Sequence, residues 1–211
     1  MACKLTDGVN APFSSLLRRL TEEDGFFYHK GLFVDIDGDG LLDIITARAK
    51  KPLFGAGKGQ LMWLKNPNNS SQFPWESVVL ADGPDIDVEL GPKTAQGQVL
   101  RESVLVLFLK ISISCFQIVF AAEFFGKKIS SFLISDTGTF VSSKVIDDTI
   151  GEGYAVKYFS AKKGSDILFA SNYQAKDSGS VFAYSGNNRT VLATFKNVQK
   201  APVKRRKGKK W

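Results

Sequence analysis

Phe33-Val34-Asp35-Ile36-Asp37-Gly38-Asp39-Gly40-Leu41-Leu42-Asp43-Ile44-Ile45 is the stretch on which the reading of this chain turns. Counting from Asp35, carboxylates fall at positions 1, 3, 5 and 9, and Gly40 stands at position 6, where the backbone must turn sharply. Alternate spacing in a tight loop aims these side chains at a common centre, which suits a hard cation seeking about six to eight oxygens. Two bare carboxylates about 4 Å apart repel by about 4 kcal/mol at an effective dielectric of about 20, and a Ca²⁺ ion turns that repulsion into ligation. Asp35, Asp37, Asp39 and Asp43 are therefore the candidate side-chain ligands, and the Leu41 carbonyl fills the position-7 role. The loop is not an EF-hand. Its position 12 is Thr46 rather than Glu, and the residues on either side, Phe33-Val34 and Ile44-Ile45-Thr46, read as strands.

Working outward, three elements recur. Phe13-Ser14-Ser15-Leu16-Leu17-Arg18-Arg19-Leu20, Trp75-Glu76-Ser77-Val78-Val79-Leu80 and Phe140-Val141-Ser142-Ser143-Lys144-Val145-Ile146 each start on an aromatic and run into aliphatics. Each then meets an acidic or glycine-bearing turn. Asp43-Ile44-Ile45-Thr46-Ala47 matches Asp166-Ile167-Leu168-Phe169-Ala170, with Ile118–Ala122 as a looser copy. Gly59-Gln60-Leu61-Met62-Trp63-Leu64 is mirrored by Gly179–Tyr184, with Ile129–Ile134 between them. A fourth unit starts at Arg189–Thr194. Short apolar runs parted by Gly, Asp, Asn and Pro read as strands, about four to a period, and such periods build propeller blades. The expected fold is all-β: a partial β-propeller of about three four-stranded blades over residues 13–195. Residues 1–12 form an N-terminal extension, and residues 196–211 form a basic, disordered tail. About 99–117, the middle period carries an apolar stretch that matches neither neighbour and reads as an insert.

On the loop and the Gly59-Gln60-Leu61-Met62-Trp63 strand, the chain resembles the FG-GAP/VCBS repeat family, the propeller repeats of integrin α-subunits and of some carbohydrate-active enzymes. The similarity is strong over about residues 13–67 and weaker over 75–98 and 118–185. It implies one structural Ca²⁺ held by the Asp35 loop, a non-catalytic role in cell adhesion or in binding a protein or glycan, and an extracellular setting. Only Asp166 of the third unit keeps a loop carboxylate, and the middle unit offers Asp87 and Glu89 without the pattern, so one calcium site is expected. About three blades leave sheet faces open, which calls for self-association or partner blades. Because some propellers of this family act on sugars, a lyase or hydrolase fragment stands as the alternative.

Charge separates cleanly along the chain. The 28 Lys and Arg exceed the 21 Asp and Glu by seven, yet eight of the basic residues, from Lys196 to Lys210, lie in the last sixteen positions, which hold no acid. The body is near neutral, so any affinity for nucleic acid or an anionic surface belongs to the tail. Two cysteines and one histidine rule out a disulfide framework, a four-cysteine zinc site and multi-histidine centres. The first residues show no apolar h-region, in tension with the extracellular setting. The apolar stretch Val104–Phe125 is broken by Lys110, Gln117 and Glu123, so no membrane span is favoured. Gly55-Ala56-Gly57-Lys58-Gly59 fails as a phosphate loop, since Gly59 stands where Ser or Thr is needed. His29 is the one candidate base and Cys115 an inert thiol in an apolar run. Asn68, Asn69 and Asn188 head glycosylation sequons.

Overall fold

Alternating or continuous apolar runs of seven to nine residues, stopped by Gly, Asp and Asn, fold as antiparallel hairpins because each turn residue reverses the chain cheaply. The structure, a computed structural model, describes residues 2–3, 17–53, 55–69, 72–95, 115–160, 166–174, 178–186 and 188–195. Within them every regular element is a strand: β1 (Ala2–Cys3), β2 (Leu17–Arg18), β3 (Phe27–Val34), β4 (Asp43–Lys50), β5 (Lys58–Lys65), β6 (Glu76–Asp82), β7 (Asp87–Ala95), β8 (Cys115–Glu123), β9 (Lys128–Ser135), β10 (Phe140–Asp147), β11 (Glu152–Phe159), β12 (Ile167–Gln174), β13 (Ser178–Ser185) and β14 (Asn188–Phe195). They form three open four-stranded meanders, β3–β6, β7–β10 and β11–β14, beside a two-stranded pair, β1–β2. No described helix is long and apolar enough to cross a membrane. Most of the N-terminal extension, residues 13–16, residues 99–114 of the stretch taken as an insert, and the tail lie outside the described residues.

The middle sheet is packed on both faces, and that arrangement orders the three sheets. On one side Val88, Val119, Ala121, Phe132 and Ile134 meet Ile45, Ala47, Leu61, Trp63 and Leu80 of the first sheet. On the other side Ala122 and Ile129 meet Val156, Leu168, Ala170, Phe182 and Tyr184 of the third. Strand β8 accordingly buries nearly every residue rather than every second one. The first strands also follow one another, β3 against β7 and β7 against β11. The outer face of the first sheet is partly covered: Leu20, Phe73 and Trp75 lie over Ile44 and Leu64. The outer face of the third sheet leaves Phe159 and Phe195 exposed.

Three expectations shift against this frame. The aromatic-led segments at Trp75 and Phe140 close sheets rather than open them, as β6 and β10, and Arg189–Thr194 is the matching last strand, β14, rather than the start of a further unit. Cys115–Gln117, assigned to the insert, begins β8, and Cys115 is exposed. The match of Asp43–Ala47 to Asp166–Ala170 holds in letters but not in faces. Ile45 and Leu168 both look at the middle sheet, yet from opposite sides, so along the stack they point in opposite directions. A one-residue slip produces that inversion in a period-2 element.

Two turn glycines occupy corresponding places before β10 and β14. Gly138 has φ +72° and Gly186 has φ +57°, conformations that favour glycine. A Cβ on Gly138 would overlap the Trp63 ring, whereas one on Gly186 meets nothing within 4 Å. Gly186→Ala is expected to cost about 1–2 kcal/mol for the left-handed backbone alone, and Gly138→Ala about 1–3 kcal/mol more for overpacking. Urea denaturation of both variants reads the difference; equal losses would contradict the packing of Trp63 on Gly138.

Candidate metal centre

The Asp35–Leu42 loop joins β3 to β4 and is built by its own side chains. Gly38 and Gly40 adopt φ +76° and +85°, letting the chain curl around the carboxylates. Asp35 accepts the amides of Gly38 (2.8 Å) and Gly40 (3.0 Å), and Asp39 accepts that of Leu41 (2.9 Å). Ile36 points the other way, into the core between the first two sheets, where it is 5% exposed. The loop is thus anchored inward by one apolar side chain, while Lys93 of β7 donates to the Asp35 carbonyl at 3.4 Å.

Asp35, Asp37 and Asp39 each place a carboxylate oxygen within 4.8 Å of the other two. Oxygens ligating one Ca²⁺ at about 2.3–2.6 Å stand at most about 5 Å apart, so three oxygens at this spacing fit one such ion. Asp43 stands outside that group of three. Asp43 is fully buried, and its two oxygens accept the amides of Ile36 (3.3 Å) and Asn66 (2.8 Å), tying the loop to the chain after β5. Leu41 uses its amide on Asp39. The sequence pattern did not include Lys65, whose ammonium bonds Asp37 and lies 5.6 Å from the Trp63 ring centroid. The Lys65 bond holds Asp37 below the usual carboxylate range, and Asp37 in turn holds Lys65 above the usual ammonium range. A cation entering this loop would compete with that ammonium for Asp37.

Two further polar clusters escaped sequence reasoning because their members lie far apart in the chain. Along the first strands, Lys30 bonds Glu89 (2.9 Å) and Asp87 (3.2 Å), and Lys157 bonds the other Glu89 oxygen (2.5 Å). Asp87 also accepts the Val156 amide at 2.9 Å, so one pair of acids on β7 ties all three sheets together. Burial works against the Lys30 charge, but Glu89 and Asp87 outweigh it and hold its pKa up. At the end of β10, Asp147 accepts from Tyr184 (2.7 Å) and Thr149 (2.7 Å) and pairs with Arg189 (3.1 Å). Burial pushes Asp147 up, yet Thr149, Tyr184 and Arg189 leave it below the ordinary carboxylate value. His29 is exposed and lines a cleft of about 570 Å³ over the outer face of the first sheet with Glu23 and Asp24.

A depressed carboxylate pKa contributes stability above the unfolded value, about 3.9, and that contribution is lost as pH falls through the folded value. Lys65→Met is expected to return Asp37 toward about 3.9, read by carbon-13 titration of its carboxyl. An unchanged Asp37 titration would show that Lys65 does not set it. No family model, curated protein sequence or solved structure matches the chain.

Proposed function

We propose that the chain is a non-catalytic, Ca²⁺-braced repeat module of FG-GAP/VCBS propeller type that binds a protein or glycan ligand. Three meanders in series, each with its first strand beside that of the next, support the blade-like reading. The observation that carries the calcium reading is the convergence of Asp35, Asp37 and Asp39 on one centre. The ion would relieve the repulsion among these carboxylates in a loop that Ile36 anchors in the core, so its binding would stabilise the junction of the first two sheets rather than perform chemistry. Exposed Phe159 and Phe195 on the outer face of the third sheet supply the apolar surface on which a second copy or partner sheets would dock.

A ligand that binds only the folded state at about 100 times its Kd stabilises by about 2.7 kcal/mol, which for a chain of this size raises Tm by roughly 5–10 °C. Saturating Ca²⁺ is expected to give a rise of that order over chelator in wild type, and none in Asp37→Ala. A wild-type melt that is the same in calcium and chelator would overturn the reading.

A further inference from the structure

The two inter-sheet spaces are built on the same plan but filled differently. Trp63 of β5 stands opposite Ile45 of β4, on the face that looks toward the middle sheet. Its indole fills the first space up to Gly138, the turn glycine before β10. In the middle sheet the pair facing the third sheet at the corresponding position is Phe120 and Ser131. A serine thus stands where the neighbouring sheet has a tryptophan, and Gly186, the counterpart of Gly138, has open space beside it. The result is a cleft of about 830 Å³ between the second and third sheets, with both Ser131 and Gly186 in its wall. Ligand pockets run to about 300–1,000 Å³, so the cleft has room for an indole-sized ring and a group attached to it.

The walls of this cleft are both aromatic and polar. Phe120 and Tyr158 stack with centroids 5.5 Å apart, and Tyr184 lies beyond Leu168 on the same face as Tyr158. The Tyr158 hydroxyl is buried beside Asp166 and Ser160, and no group among the described residues makes a well-formed hydrogen bond with it. Burial, with the Asp166 carboxylate nearby, pushes its pKa up, so it stays a protonated donor. A buried hydroxyl left unpaired carries a desolvation cost that a ligand donor or acceptor removes. At the rim the Asp147–Arg189 pair, held by Tyr184 and Thr149, presents fixed charges of both signs.

We infer that this cleft is a binding site for an aromatic ring of indole size bearing a hydrogen-bonding group, which takes the place that Trp63 fills in the neighbouring interface and pairs with the Tyr158 hydroxyl. This deepens the binding role proposed above by naming a ligand class. It needs no calcium, so measurements in calcium and in chelator separate failure of the cation reading from failure of this one. The ring comes either from a free small molecule or from a peptide side chain, and the probes tell the two apart.

The test is calorimetric titration of the full chain with N-acetyltryptophanamide, free indole and a five-residue peptide with a central tryptophan, against N-acetylleucinamide and methyl glucoside as controls. Saturable binding of the indole compounds and none of the controls is expected. Tighter binding of the peptide would assign the ring to a peptide, and equal binding of free indole would assign it to a small molecule. Ser131→Trp fills the cleft from within and is expected to weaken binding at least tenfold while the chain still melts cooperatively. Tyr158→Phe, which removes a hydroxyl with no well-formed hydrogen bond among the described residues, is expected to keep its stability and lose about fivefold in affinity, the worth of one hydrogen bond. No saturable binding by wild type at about 10 mM, a limit weaker than a Kd of 1 mM, would overturn the proposal whatever the variants do. So would a preference for the glucoside, or wild-type affinity in a folded Ser131→Trp. If that variant does not fold, wild-type amide shifts mapping away from Ser131, Tyr158 and Gly186 overturn it.

Discussion

Burial of the middle sheet on both faces is the constraint from which the rest of the structure follows. A sheet with one wet face can alternate apolar and polar residues, but β8 cannot. Val119 and Ala121 serve one core while Phe120 and Ala122 serve the other, and all but Phe120 are fully buried. The flanking sheets therefore need one apolar face each, and they are held at fixed positions on either side. Ile36 carries that constraint into the aspartate loop, because its side chain belongs to the first core while its neighbours Asp35 and Asp37 converge with Asp39. The cleft at Ser131 is the converse case, a place in the second interface where the packing is incomplete.

Polar groups reinforce the same order. Asp87 and Glu89 sit on the first strand of the middle sheet and reach a lysine on each neighbour, Lys30 and Lys157. Buried acids elsewhere cap turns through backbone amides. Asp85, in the link from β6 to β7, accepts from Phe124 and Phe125 at 2.6 Å each, and burial nevertheless pushes its pKa up. Asp43 plays the same part behind the loop. Such bonds are individually modest, yet each would be costly to leave unmade in a buried site.

Strand content and loop position were legible in the sequence because both depend on short-range patterns: apolar runs of fixed length, and Asp and Gly at set spacing. The framing of the units was not. Trp75 and Phe140 open a motif by eye, but only pairing shows that they end sheets, and letters cannot reveal which face a strand turns when a one-residue slip inverts it. Lys65 was missed beside Asp37 because it is 28 residues away, and Lys157 beside Glu89 because it is 68 away. The exchange of Trp63 for Ser131 was present in the sequence, but its meaning needs the pairing of Ile45 with Trp63 and of Phe120 with Ser131.

For the Ca²⁺ ion proposed in the Asp35 loop, Trp63 offers a direct reporter, since the Lys65 ammonium that bonds Asp37 lies 5.6 Å from its ring centroid. Terbium bound in the loop would be excited through that indole. The expected result is terbium luminescence on tryptophan excitation that saturates at one ion per chain, falls as Ca²⁺ is added and is absent in Asp39→Ala. Luminescence that is missing, or that Ca²⁺ does not displace, would contradict the claim.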